Sequence, residues 1–246
     1  MHFRVISLRS PMARLVLLVF ALLLAAWLIN PRLHATAAPP TRPIPVYRVE
    51  TIKTAMALTI NVVWGTEYVP KLMAELKAHH AVATFMVGGA WAEAHPELVK
   101  QMRQDGDQIG NHGWNHRHPN QLGFDGNVQD ITRTNRMVEA IAQVRPTIYA
   151  PPYGEFNQTV LNAAQAAGMT LVMWTIDTID WRPSSSVSYM VNKVLARAQA
   201  GSIVLMHPTD RTVLALPQII AGLQQKGYQL VTVSQLLKMG TPRTDS

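Results

Sequence analysis

The sequence has no cysteine among its 246 residues. That excludes disulfides, a thiolate nucleophile, and zinc or iron–sulfur centres held on sulfur. Any metal must then sit on His, Asp or Glu. Charge is scarce too: Asp, Glu, Lys and Arg together make up 15% of the chain, against 48% apolar residues. Such a composition excludes a disordered polyelectrolyte and a coiled coil, and the length allows a core without staples. Acids are the scarcer sign, 15 against 22 Lys and Arg, for a net charge of +7. Residues 1–38 hold four Arg and no acid, so the remainder carries 18 basic and 15 acidic residues, or +3. A body at +3 without a Lys/Arg run gives no nucleic-acid surface, and no nucleic-acid partner is expected.

A long apolar run occurs at one place. Arg4, Arg9 and Arg14 lead into fifteen uninterrupted apolar residues, 15–29, which Asn30-Pro31 stops. Ala35-Thr36-Ala37 then resembles a small-x-small cleavage pattern. This is the plan of a secretory signal. A bilayer span usually takes about 20 residues, although about 17 suffice. Residues 1–37 are therefore expected to be a cleaved signal peptide or a retained membrane anchor. Either places the rest of the chain outside the cytoplasmic membrane, secreted or membrane-tethered through the N-terminus. Residues 38–52 read as a proline-rich linker, with four prolines within 38–48. The folded body is expected over 53–238, with 239–246 as a C-terminal tail.

Within that body, short β-branched runs alternate with amphipathic stretches. Strands are expected at 56–63, 82–87, around Ile109, and at 147–149, 170–176, 202–206 and 228–233. Helices are expected over 68–80, 96–104, 128–143, 157–167, 187–200 and 214–225. Alternation of this kind predicts an α/β fold, a parallel sheet with helices outside it. About seven such units suit a closed or nearly closed barrel, whose functional residues gather where strands end.

Four stretches at expected strand ends carry polar or unusual residues. Asn111-His112-Gly113-Trp114-Asn115-His116 places two histidines four apart. On one side of a helical turn both imidazoles can face one metal, although a polar surface turn would look the same. His118 is a competing ligand, but Pro119 beside it suggests a loop position; His79-His80 reads as the basic end of a helix. Tyr149-Ala150-Pro151-Pro152-Tyr153-Gly154 makes a rigid turn. Trp174-Thr175-Ile176-Asp177-Thr178-Ile179-Asp180-Trp181 ends a strand in two acids, costly to bury without partners. Gly201-Ser202-Ile203-Val204-Leu205-Met206-His207 places a histidine straight after a buried strand. In a site shared with Asp180, that histidine could serve as a general acid.

Taken in order, these stretches resemble the polysaccharide deacetylase family (NodB homology, carbohydrate esterase family 4). The likeness covers about residues 53–238. It implies a single distorted (β/α) barrel that removes acetyl groups from N-acetylated cell-wall polysaccharide, peptidoglycan or a chitin-like glycan. It further implies that His112 and His116 hold a divalent metal, typically zinc. His207 would be the general acid toward the leaving amine, tuned by Asp180. Trp181 and Leu205 would wall the pocket for the acetyl methyl. The Tyr153 N–H would help stabilise the oxyanion, worth about 3 kcal/mol in comparable sites.

Two departures from the family pattern stand out. Thr59-Ile60-Asn61-Val62-Val63-Trp64-Gly65 places Asn61 at the position of the catalytic base Asp and Val62 at that of the third metal ligand. An amide takes no proton from water, and valine binds no zinc. Ala150 replaces the Arg that would pair with that base, and an unpaired buried Arg would be expensive. In this the chain resembles a divergent, sporulation-associated type of deacetylase-like protein. Glu67, two residues after Gly65, is the acid available to replace a lost carboxylate, or a helix-start acid favoured by the dipole. The competing reading is a catalytically impaired glycan-binding envelope protein that keeps the fold.

Overall fold

The computed structural model describes residues 11–29 and 42–245. Helix α1 (Pro11–Ile29) covers the apolar run and belongs to a unit of its own. Among the described residues no helix is long and apolar enough to cross a membrane. Arg4, Arg9, Asn30-Pro31 and Ala35-Thr36-Ala37 lie outside the described residues, as do residues 38–41 of the expected linker.

The second unit runs from Pro43. Its elements are β1 (Arg48–Glu50), β2 (Ala55–Val62), α2 (Val69–Ala78), β3 (Thr84–Val87), α3 (Gly89–Ala94), α4 (Pro96–Gln104), β4 (Gln108–Asn111), α5 (Gly123–Ala142) and β5 (Ile148–Tyr149). There follow α6 (Gln158–Ala166), β6 (Thr170–Leu171), β7 (Ile176–Asp177), α7 (Val187–Arg197), β8 (Ile203–Met206), α8 (Asp210–Gln225), β9 (Gln229–Val231), α9 (Val233–Leu237) and β10 (Thr241–Arg243). Seven strands follow one parallel path, β6-β5-β4-β3-β2-β8-β7, and β9 pairs with the start of β2. This is the distorted α/β barrel expected.

β2 is the centre of the sheet, with β3, β8 and β9 all paired to it in parallel. All eight of its residues are buried, which is why the run reads as continuous rather than alternating. The helices close over the sheet with ordinary caps. Asn157, Ser186, Thr209 and Thr232 each accept a backbone N–H from the first turn that follows.

Two expectations are corrected here. The strand expected at 170–176 is two strands, β6 bonded to β5 and β7 bonded to β8, with a gap between them. The expected linker fills that gap. Val46 N–H donates to the Leu171 carbonyl at 2.9 Å, Met173 N–H donates to the Val46 carbonyl at 2.7 Å, and Val49 N–H donates to Gly201 at 3.0 Å. Val46 and Val49 are buried. The folded body therefore begins near Val46, because an open edge of unpaired backbone is covered by this segment. The tail is likewise structured at Thr241–Arg243, which pairs antiparallel with β1.

Smaller differences follow local chemistry. Capped by Thr209, α8 starts at Asp210, four residues ahead of the expected start, and 228–233 splits into β9 and α9 where Thr232 and Gln235 form a capping box. His79 caps the end of α2, as read from the sequence.

Candidate functional site

The C-terminal ends of the parallel strands surround a cleft of about 360 Å³. Asn61 and Val63 reach it from β2, His112 and His116 from the turn after β4, and Tyr153 and Gly154 from the turn after β5. Trp181 comes from the segment after β7, and Leu205 and His207 from β8 and its end. Trp64 and Trp174 complete the lining. The structure thus brings His112, His116, Tyr153, Trp181, Leu205 and His207 into one wall. Asp180 stands behind His207.

The two histidines do not meet on a helix. Residues 112–118 form a loop, with Gly113 at φ +70° and His116 at φ +51°, and its folds bring the ring centroids to 5.0 Å. Buried side chains hold that loop. Asn111 accepts the Gly113 N–H at 2.8 Å, and Asp130 accepts the Trp114 N–H at 2.7 Å and the Arg117 guanidinium at 2.5 Å. His112 is buried, with Nδ1 2.7 Å from the Ala150 carbonyl. A carbonyl only accepts, so Nδ1 carries the proton and Nε2 keeps its lone pair. Burial pushes the His112 imidazole down to about 3, so the ring is neutral at ordinary pH. Burial and the charge of nearby His207 hold His116 below the usual imidazole range.

Tyr153 sits in the left-handed region at φ +59°, and its ring stacks on His118 at 4.0 Å and meets His116 at a tilt, centroids 4.3 Å apart. His118 bonds Glu155 at 3.0 Å and does not line the cleft. It acts as a wall for the tyrosine, not as a competing ligand.

The acid expected at the strand end has its partners. Asp180 is fully buried. Its Oδ1 lies 2.8 Å from His207 Nδ1, while its Oδ2 accepts the His207 N–H at 2.5 Å and the Thr212 hydroxyl at 2.8 Å. Arg211 pins the same loop by donating to the carbonyls of Asp180, Arg182 and Pro183. Nδ1–H of His207 is thus engaged and Nε2 is left free for the cleft. The Trp64 ring stands parallel to the His207 ring, centroids 6.1 Å apart. Asp177, the other acid of that stretch, accepts the Ile179 N–H and stays out of the cleft.

The departures read from the sequence have physical counterparts. Asn61 is 5% exposed, and its Oδ1 is buried without a hydrogen-bond partner. Val62 is buried in the main apolar core and Ala150 in a second one. A carboxylate at position 61 would be a buried charge with no cation at 150, and the amide removes that penalty. Glu67 is exposed and does not line the cleft. Among the described residues no group of three or more His, Asp or Glu side chains could hold a metal ion. His112 and His116 have the right donor chemistry for zinc, but a catalytic zinc takes three protein ligands plus water. The donor set is one short.

Trp64, Trp174, Thr212 and Arg211 were not singled out from the sequence. Trp64 had a signal, an aromatic between a buried strand and a glycine. Thr212 and Arg211 had none, because they reach Asp180 across 31 or 32 residues of chain.

Comparison with known proteins agrees with this geometry. The chain matches the family model for polysaccharide deacetylase over residues 48–172. It is 37% identical to the uncharacterized protein YlxY of Bacillus subtilis over 85% of this chain and 64% of that protein. It is thus similar to about two thirds of that relative's length. It is 32% identical to a peptidoglycan-N-acetylglucosamine deacetylase of Bacillus cereus over 78% of this chain and 71% of the relative. Among solved structures, a CE4 family pseudoenzyme from Bacillus anthracis superposes with a TM-score of 0.76 at 36% identity, over 79% of this chain and 69% of that one.

Proposed function

Since the chain belongs to the polysaccharide deacetylase family, we propose that its cleft engages N-acetylated cell-wall glycan and that acetamide hydrolysis there is impaired. The single observation behind this is the β2 end, where Asn61 faces the cleft and Val62 is core. Neither can activate a water. The substrate class, peptidoglycan or a chitin-like chain, is supported by the activity named for the Bacillus cereus relative. Such glycan lies outside the cytoplasmic membrane. Residues 1–37 would deliver the chain there as a signal peptide or hold it there as an anchor.

Each site residue has a place in this reading. Trp181 and Leu205 would pack the acetyl methyl, and the Tyr153 N–H would face the acetyl oxygen. His207, oriented by Asp180, would present Nε2 toward the amide nitrogen. His112 and His116 would hold a divalent ion, zinc by donor chemistry, with lower affinity than a three-ligand site. Such an ion supplies Lewis acidity when bound, and the residues here provide no matched base beside it.

A second reading, a working metal-dependent deacetylase, is favoured by the intact His207–Asp180 pair, which a plain binding groove does not need. One experiment separates the two. The full chain is incubated with insoluble peptidoglycan and with chitooligosaccharides, with and without added zinc, and both retention and acetate release are measured. Retention with acetate release no faster than in His207→Ala supports the impaired reading. Acetate release that His207→Ala abolishes supports the second. Neither retention nor release removes the glycan from both.

A further inference from the structure

A second cavity, of about 310 Å³, opens at the opposite end of the sheet, where β4 and β5 begin. Arg103 reaches it from the last turn of α4 and Arg145 from the loop after α5. Both are exposed, and neither guanidinium makes a hydrogen bond or ion pair with any described residue. Other cations of this unit do have carboxylates: Lys77 holds Asp105 at 2.9 Å, and Arg117 holds Asp130. Asp107 lines the same cavity and is buried. Its Oδ1 accepts the Ala83 N–H at 2.8 Å. Its Oδ2 bonds nothing and is not sealed off, since the sealed side-chain atoms without a partner, among the described residues, are Asn61 Oδ1, Asn127 Oδ1 and Arg211 Nε. An unpaired acid and two unpaired bases around one concavity call for a group that answers all three. Backbone donors are not part of this set. The N–H groups at the start of α9, which border the cavity, are taken by the side chains of Gln235, Thr84, Gln108 and Thr232. What remains is the Ser234 and Thr147 hydroxyls, 3.4 Å apart, and the apolar surface of Ile109 and Val144.

We infer that this cavity is a binding site for a phosphate monoester carried on a single sugar or polyol unit. The inference stands apart from the glycan reading above, because it uses no residue of the strand-end cleft. Charge decides the ligand class. Two guanidiniums carry a formal +2. A phosphate monoester carries about −1.5 to −2 at neutral pH, whereas a carboxylate carries a single charge. Guanidinium forks bind phosphate oxygens in pairs, through hydrogen bonds about twice as strong as neutral ones. Asp107 does not repel such a group when its carboxyl is neutral. Burial pushes that carboxyl up to about 7, so near neutral pH it offers an O–H whose hydrogen a phosphate oxygen accepts. The Ser234 and Thr147 hydroxyls are the partners for ligand hydroxyls, and Ile109 and Val144 for its C–H groups. The volume lies at the lower end of small-molecule sites, roughly 300–1,000 Å³, which limits the carrier to one unit.

The test is calorimetric titration of the full chain with glucose-6-phosphate and with glycerol-3-phosphate at about pH 7, above the second phosphate pKa of about 6. EDTA is present throughout, so that His112 and His116 collect no metal that would itself draw phosphate. Saturable binding of at least one ester is expected, about tenfold or more tighter than that of glucose, glycerol or inorganic phosphate. Arg103→Gln and Arg145→Gln should each weaken it by about tenfold, and the double variant should abolish it. Arg197→Gln, which removes an exposed arginine of α7 outside the cavity, should bind as the natural chain does. All three arginines are exposed, so each variant is expected to keep the natural Tm. Binding that survives in the double variant, or that falls equally in Arg197→Gln, overturns the inference. Inorganic phosphate binding as tightly as the esters overturns it too, as an adventitious ion only. Failure to bind either ester does the same, and none of these results touches the glycan reading.

Discussion

Thr212 shows how much of this site depends on single polar atoms. Its hydroxyl donates to Asp180 Oδ2 inside a carboxylate site with no solvent access. Thr212→Val keeps the shape and deletes the donor, so a buried charge loses one of its partners. The expected cost is about 1–3 kcal/mol, read as a lower Tm. Coupling to Asp180→Asn in a double-mutant cycle checks that the loss runs through the carboxylate, and additive effects would remove Thr212 from that network. A second residue-scale case lies at the other end of the barrel. Asp107 is 4% exposed and accepts the Ala83 N–H at 2.8 Å, yet burial pushes its carboxyl up to about 7. A folded-state value above the unfolded one means the folded chain binds more protons between about 3.8 and about 7. Stability from this group is therefore fully present at low pH and lost as pH rises through 7, on the order of 4 kcal/mol at most. Asp107→Asn keeps the acceptor and never ionises. It should flatten that pH dependence, and urea midpoints across this pH window that match the natural chain's would contradict the assignment.

At the scale of elements, the informative piece is the segment through Val46 and Val49, which reads as linker and behaves as sheet. Proline density misled there: the prolines stop at Pro45, and the residues after them are Val-Tyr-Arg-Val. A chain beginning at Val46 keeps the segment and should unfold cooperatively. One beginning at Lys53 should lose about 3 kcal/mol or more, from two buried valines and the reopened edge. Equal stability of the two chains would return this segment to the linker. Gly201 supplies an orthogonal check. At φ +81°, a Cβ there would sit 1.7 Å from the Val49 carbonyl oxygen. Gly201→Ala is expected to push the segment off the barrel, with a drop in Tm comparable to the truncation.

At the scale of the molecule, the proposed reading divides the cleft in two. His207, Asp180, Thr212 and Arg211 form one connected hydrogen-bonded network, the acid side in that reading, whereas Asn61, Val62 and Ala150 stand where a water-activating side would be. Those three residues lie on β2 and at the end of β5, so they can be changed together. Asn61→Asp with Val62→Asp and Ala150→Arg should raise zinc affinity and acetate release together, since general-base help is commonly worth 10²–10⁴ in rate. Zinc titration and acetate release on chitooligosaccharides measure the two effects. A triple variant that binds zinc but releases nothing would place the defect elsewhere in the cleft. Glu67→Gln should change neither property in the natural chain, because Glu67 is exposed and does not line the cleft.

What the sequence by itself determined is the part written in local pattern. The alternation of β-branched runs with amphipathic stretches specified the α/β barrel, since both periodicities are local. The ordered motifs marked His112, His116, Tyr153, Asp180, Trp181, Leu205 and His207, and the structure brings six of them to one cleft with Asp180 behind. Only the tertiary structure decided the rest. The His112–His116 approach comes from a loop with two positive φ values and not from helical spacing, because Asn111 at its start and Asp130 from outside the motif hold it. Glu67, two residues from the motif in sequence, does not line the cleft, while Thr212 and Arg211 reach Asp180 from another element. The closing of the barrel by Val46 and Val49 is equally invisible in their own neighbourhood, since the unpaired edges they satisfy belong to β6 and to the turn at Gly201. Hydrophobic period and motif order are properties of neighbours in the chain; partners for a buried carboxylate or an open sheet edge are properties of neighbours in space.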